Sequence, residues 1–246
     1  MEHLTRSQRW CSSCSGRTRA GSTAPTSRLM AATTRCARSA AGRAEMRLIL
    51  VRHGQPQHIT QPGAGNPPLS PTGHRQAEAV GSFLAREPID LVIHSGMHRA
   101  AETAAPLLTA TGIAATAIAA IGEVDRYGGA YANIEMVKAR GEADWARFLA
   151  DPLGYFGIDG PRFVAETLEG FGSILSAHHR KTAVIFTHGF PINILLSHAL
   201  GLEGHANFVP EYGSITRLTG STLDRLTVVS INETAHLAHL AAEAGA

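Results

Sequence analysis

Two short apolar runs, each closed by histidine and glycine, constrain this chain more than anything else in it. Leu48-Ile49-Leu50-Val51 runs into Arg52-His53-Gly54, and Ala183-Val184-Ile185-Phe186 runs through Thr187 into His188-Gly189. Each run has strand length and stops at a turn-forming glycine. A third strand, Leu91-Val92-Ile93, leads through His94-Ser95-Gly96-Met97-His98 to Arg99 and a helix. The spacing predicts strands over 47–52, 91–94, 115–121 and 182–187. Helices are predicted over 71–86, with Ser70 as N-cap and Pro71 at N1, and over 97–111, 162–179 and 190–201. Two last strands, 216–218 and 226–231, flank a turn at Gly220. This alternation predicts one α/β domain, a three-layer sandwich with a mainly parallel central sheet and helices on both faces. The segment 123–160 reads as irregular, with Gly128-Gly129 and Pro152, and as a cap inserted over a site.

Ligand sites in such folds are built at strand ends. An arginine beside a histidine there offers a fork that pairs with phosphate and a ring nitrogen that can attack phosphorus. Arg99 falls at a helix start, where free N–H groups and the helix dipole favour anions. Two arginines and two histidines thus lie at strand ends or helix starts, and the two histidines can converge on one pocket.

Leu50-Val-Arg-His-Gly-Gln55, Leu69-Ser-Pro-Thr-Gly73-His-Arg-Gln76-Ala77, Ser95 to Ala104, Thr187-His-Gly189 and Asn232-Glu-Thr-Ala-His-Leu237 follow one another in order. With these segments the chain resembles the histidine phosphatase superfamily, or phosphoglycerate mutase-like proteins, from about Met46 to Leu237. The resemblance implies that fold and a metal-independent phosphatase of the histidine acid type. It implies His53 as a neutral nucleophile that forms phosphohistidine, its other nitrogen held by a backbone carbonyl. Arg52 and Arg99 would clamp the phosphoryl oxygens, and His188 would donate a further hydrogen bond as an imidazolium held charged by the phosphate. The family places an acid within Ile121-Gly-Glu123-Val-Asp125-Arg-Tyr-Gly128. Glu123 matches best as proton donor and Asp125 is its rival. Either needs a raised pKa to carry a proton near neutrality.

The resemblance also has gaps. A Trp-Asn pair that mutases and several phosphatases carry after the Arg-His-Gly triplet is replaced by Gln57-His58-Ile59-Thr60, and the basic, proline-rich stretch of mutase lids is missing. Both absences favour a phosphomonoesterase acting on a small phosphorylated molecule over a phosphoglycerate mutase-type phosphotransferase. A catalytically inactive phosphate-binding module is the third reading. His74, His178, His179, His205, His236 and His239 read as surface residues or locally bonded ones, and His94 and His98 as flanks of Arg99 that could rim the pocket. A di-metal site would need carboxylates clustered with these histidines. The matched segments supply few, so neither metal nor cofactor is expected.

Charge divides the chain. Residues 1–45 hold eight arginines and two acids, a net of +6, while the remaining 14 basic and 18 acidic residues leave the body at −4. A mildly acidic body gives no support for nucleic-acid binding. No apolar stretch of spanning length is present, so no membrane partner is expected. Cys11, Cys14 and Cys36 all fall in the first 45 residues. Cys11 and Cys14 lack the second pair that a zinc ribbon needs. A cysteine-free body fits a reducing cytoplasm. The serine- and arginine-rich extension 1–45 cannot bury enough surface to fold alone. A misplaced start upstream of Met46 is the favoured reading, against a basic arm or a transit peptide. Oligomeric state is not written in the sequence, and a homodimer stays open.

Overall fold

The computed structural model describes residues 45–58, 65–128, 131 and 134–240. The extension, apart from Glu45, lies outside them with its three cysteines, as do Ile59 and Thr60 of the departing stretch. Strands β1 (Met46–Arg52), β2 (Leu91–His94), β3 (Ala115–Ala117), β4 (Thr182–Thr187), β5 (Ile215–Gly220) and β6 (Leu226–Glu233) form one sheet, in the order β3-β2-β4-β1-β5-β6. Pairings β3–β2, β2–β4 and β4–β1 are parallel. β5 and β6 extend the sheet antiparallel. The sheet is therefore mainly parallel, as expected, with an antiparallel edge built by the C-terminal hairpin.

Side chains of a strand alternate between faces, and here both faces are apolar. Leu48 and Leu50 of β1, Ile185 of β4 and Ile93 of β2 pack on one side with Phe171, Ile174, Leu195 and Leu196. Those partners come from α5 (Gly160–Ala177) and α6 (Gly189–Leu200). Ile49, Val51, Val184, Phe186 and Val92 point the other way, onto Val80, Leu84, Ala100, Ala104 and Leu107. Those belong to α1 (Pro71–Leu84) and α2 (His98–Thr111). Three layers result. Every residue of β4 and all but one of β1 are buried. Each fully buried Leu, Ile or Phe contributes about 1.5–3 kcal/mol, so these two central strands anchor whatever stands at their ends.

Local chemistry explains the boundaries. Ser70 caps α1 by accepting from Gly73 N–H at 3.0 Å, with Pro71 at the first helical position, as predicted. Gly81 lets α1 and α2 touch: a Cβ there would stand 2.8 Å from Pro106 Cβ. β3 is shorter than the predicted 115–121. Only Ala115–Ala117 pair with β2, and Ala119–Ile121 wind into a 3-10 turn. Alanines have little side chain to pack on a sheet edge. The segment 123–160 is not irregular. It carries α3 (Ile134–Ala139), α4 (Glu142–Ala150) and 3-10 turns at Val124–Tyr127 and Gly154–Phe156. Acids in the first turn of α4 suit a helix N-terminus. Among the described residues no helix is long and apolar enough to cross a membrane.

Candidate active site

The carboxyl ends of β1, β4 and β2 meet at one place, and backbone bonds fix their ends. His53 N–H donates to Thr187 O at 3.0 Å, Ser95 N–H to Phe186 O at 3.2 Å and Arg52 N–H to Ser214 O at 3.1 Å. His53 and His188, at equivalent ends of the parallel pair β1–β4, therefore lie side by side, with ring centroids 4.9 Å apart. Arg99 comes to them from the first turn of α2.

His53 is buried, and its Nδ1 lies 2.7 Å from Gly54 O. A carbonyl only accepts, so the ring proton sits on Nδ1 and Nε2 keeps its lone pair. Burial, followed by the Arg99 and Arg52 charges, holds this histidine well below the usual 6.5. It is neutral, with the nitrogen opposite the backbone anchor unprotonated. Arg99 Nε donates to that Nε2 at 3.3 Å.

Arg99 is fully buried and carries a second engagement. Its Nη atoms grip both oxygens of Asp125 at 3.1 and 2.7 Å, and its guanidinium lies 4.9 Å from the Tyr131 ring. The residue expected to clamp phosphate is thus paired with a carboxylate. Arg52 donates from Nη1 to Pro210 O and stacks 4.0 Å over the Tyr212 ring. Its buried Nε has no hydrogen-bond partner among the described residues. Buried donors seldom stay unpaired. His188 is in the same position: Nε2 meets Ser95 Oγ at 2.7 Å, while the buried Nδ1 is unpartnered. Burial, then the charge of Arg99, pushes His188 well below 6.5. The imidazolium expected at His188 depends on a phosphate whose charge would oppose both effects.

The two rival acids differ in setting. Asp125 accepts from Arg99 and, through Oδ2, from Asn66 N–H at 2.9 Å. Glu123 instead lines the cavity in front of His53 and Arg52. It accepts two longer bonds, from Val124 N–H at 3.1 Å and Phe190 N–H at 3.3 Å. Burial raises its pKa above 4.5, against the Arg99 charge that lowers it. Gly189 stands between these two side chains: a Cβ on it would lie 3.6 Å from Glu123 Oε2 and 3.9 Å from Arg52 Nε. Thr187 Oγ1 donates to Ile121 O at 2.7 Å and ties the segment bearing Glu123 to the end of β4.

The geometry thus assembles all five predicted site residues, Arg52, His53, Arg99, Glu123 and His188, with Asp125 among them. His94 does not join them; its Nδ1 accepts from Gly96 N–H at 3.0 Å, and His98 is exposed. Sequence reasoning gave no role to Ser95, Tyr131, Tyr212 or Thr103, whose Oγ1 accepts from Gly54 N–H at 3.0 Å. Nothing in the local pattern marks the two tyrosines, because their partners are far away in the chain. Among the described residues no three His, Cys, Asp or Glu side chains converge as metal ligands would.

Comparison with known proteins agrees with this architecture. The family model of the histidine phosphatase superfamily (branch 1) matches residues 48–234. Phosphoserine phosphatase 1 of Hydrogenobacter thermophilus is 25% identical over 164 residues, which cover 64% of this chain and 78% of that protein. A mycobacterial glucosyl-3-phosphoglycerate phosphatase superposes with a TM-score of 0.60 at 20% identity, over 76% of this chain and 99% of its own. A phosphoglycerate mutase of Bacillus anthracis does so with 0.61 at 16% identity, over 80% and 96%. The two structures share the fold.

Proposed function

Because the chain belongs to the histidine phosphatase superfamily (branch 1), we propose that it is a phosphomonoesterase that works through phosphohistidine without a metal. His53 Nε2 bonds to phosphorus as the ester P–O bond breaks, and the leaving oxygen takes its proton from Glu123. Water then attacks the phosphohistidine and gives a proton to Glu123. The P–N bond breaks, phosphate leaves and His53 is restored. Arg52 and His188 meet the equatorial oxygens with their unpartnered Nε and Nδ1. Arg99 joins them once phosphate competes with Asp125 and with His53 Nε2 for its donors. A histidine pushed down and a carboxyl pushed up from their ordinary values suit turnover on the acidic side of neutrality.

The observation that carries this reading is the state of His53. Its Nδ1 proton is anchored on Gly54 O, and its unprotonated Nε2 accepts from Arg99 in a cavity shared with Arg52 and the buried Glu123. The test is phosphate release from a panel of small monoesters in excess EDTA. The parent chain is expected to release phosphate, and His53→Ala, folded by circular dichroism, is expected to release none. Phosphate moved to another hydroxyl of the substrate without release would mark a phosphotransferase instead. Phosphate held without turnover would mark a binding module.

A further inference from the structure

The cavity in front of His53 has two unlike walls. One holds Arg52, His53 and Glu123. The other is built from Val124, Ile134, Phe148, Phe156, Phe190 and Phe208. The four phenylalanines come from α4, the 3-10 turn after it, the first turn of α6 and the loop before β5. Phe148, Phe156 and Phe190 meet one another at centroid distances of 6.0, 6.5 and 6.1 Å, edge-on or tilted, the geometry aromatic rings prefer. Phe148 is buried, whereas Phe156, Phe190 and Phe208 are half-buried, packed on the core from one side and lining the cavity as well.

The basic side chains of the same segment are occupied elsewhere. Lys138 lies over the Trp145 ring at 4.8 Å, Arg140 donates to Tyr155 OH at 3.1 Å and Arg147 pairs with Asp144 at 3.1 Å. Of the polar groups that share this lining, Asn193 is spent on the Gly189 and Phe208 backbone, and Tyr131 OH meets Tyr212 OH at 3.5 Å. Among the described lining residues Arg52 is the single cation, and it stands on the phosphoryl side. A leaving group with its own carboxylate, as in phosphoserine, would bury that charge unpaired against phenyl rings, which is costly. An apolar group there loses no hydrogen bond and gains by leaving water.

On the phosphomonoesterase reading above, we infer that this site takes the monoester of an apolar or aromatic alcohol, with Phe156, Phe190 and Phe208 as the specificity-determining residues. The test compares kcat/KM for 2-phenylethyl phosphate, O-phosphoserine and 3-phosphoglycerate, all alkyl esters, so that leaving-group chemistry is similar. The phenylethyl ester is expected to lead by at least about tenfold, the least that a matched apolar group is worth in such a pocket. Phe156→Ala and Phe208→Ala are expected to raise KM for it several-fold, and Phe208→Arg to narrow or reverse the preference. Equal or better turnover of phosphoserine or 3-phosphoglycerate would overturn the inference. Calorimetric binding of the same esters to His53→Ala separates this claim from the reaction itself. The same ranking is expected without turnover, and a reversed ranking there would overturn the inference even if the parent hydrolyses every ester.

Discussion

At the scale of single residues, burial moves two groups of the proposed site in opposite directions. Burial, then Arg99 and Arg52, holds His53 well below 6.5, and burial raises Glu123 above 4.5 against the charge of Arg99. The signs fix a pH profile. Activity is lost on the acid side as His53 takes a proton, well below 6.5, and on the alkaline side as pH rises through the raised value of Glu123. The optimum is expected on the acidic side of neutrality. Glu123→Gln should cut kcat by about 10²–10⁴-fold, the worth of a positioned general acid, and remove the alkaline limb. Asp125→Asn should keep that limb and change KM, because it releases the Arg99 guanidinium. An alkaline limb that survives in Glu123→Gln and disappears in Asp125→Asn would move the acid to Asp125. The sequence marked Arg52, His53, Arg99 and His188 because each stands at a strand end or helix start. It left Glu123 and Asp125 as rivals, because two carboxylates two residues apart differ only in which donors the fold brings to them.

At the scale of elements, the strand end that carries His53 is braced against α1 with no room to spare. A Cβ on Gly73 would lie 2.1 Å from Gln55 O, and one on Gly54 would lie 2.5 Å from Gly73 O. Backbone meets backbone here, so a side chain must push the loop away. Gly73→Ala is expected to cost about 1–3 kcal/mol by overpacking and to lower kcat, because Gln55 and His53 move together. Ser70→Ala removes only the cap, at about 1 kcal/mol, and should leave kcat nearly unchanged. Urea unfolding and steady-state kinetics on both variants check this; equal loss of kcat in the two would show that the strain account is wrong. The elements legible in the sequence are those with strong local signals, such as the apolar run of β4 or the Ser70-Pro71 start of α1. α3 and α4 were not legible. α3 is only six residues long, and α4 is held by contacts remote in sequence, such as Phe148 on Phe190.

At the scale of the whole molecule, the described strands, α1–α6 and every candidate site residue lie between Met46 and Leu240, and the family match spans 48–234. A chain beginning at Met46 is therefore expected to keep the melting temperature and kcat/KM of the full chain. Its pI is expected to fall below 7, because the body carries −4. A drop in melting temperature, read by differential scanning calorimetry, would show that residues 1–45 support the body. The α/β sandwich was legible as a whole because period and punctuation repeat along the chain. The aromatic wall was not, since its phenylalanines are spread over 61 residues, from Phe148 to Phe208, and only folding gathers them. The central claim is that His53 carries the phosphoryl group. Rapid mixing with a labelled monoester, quenching in base and mapping of the modified peptide by mass spectrometry test it most directly. The account predicts a base-stable, acid-labile phosphate on His53, formed within one turnover and absent from His53→Ala. Full turnover with no phosphoenzyme at any time, or a phosphoryl group on another residue, would contradict it.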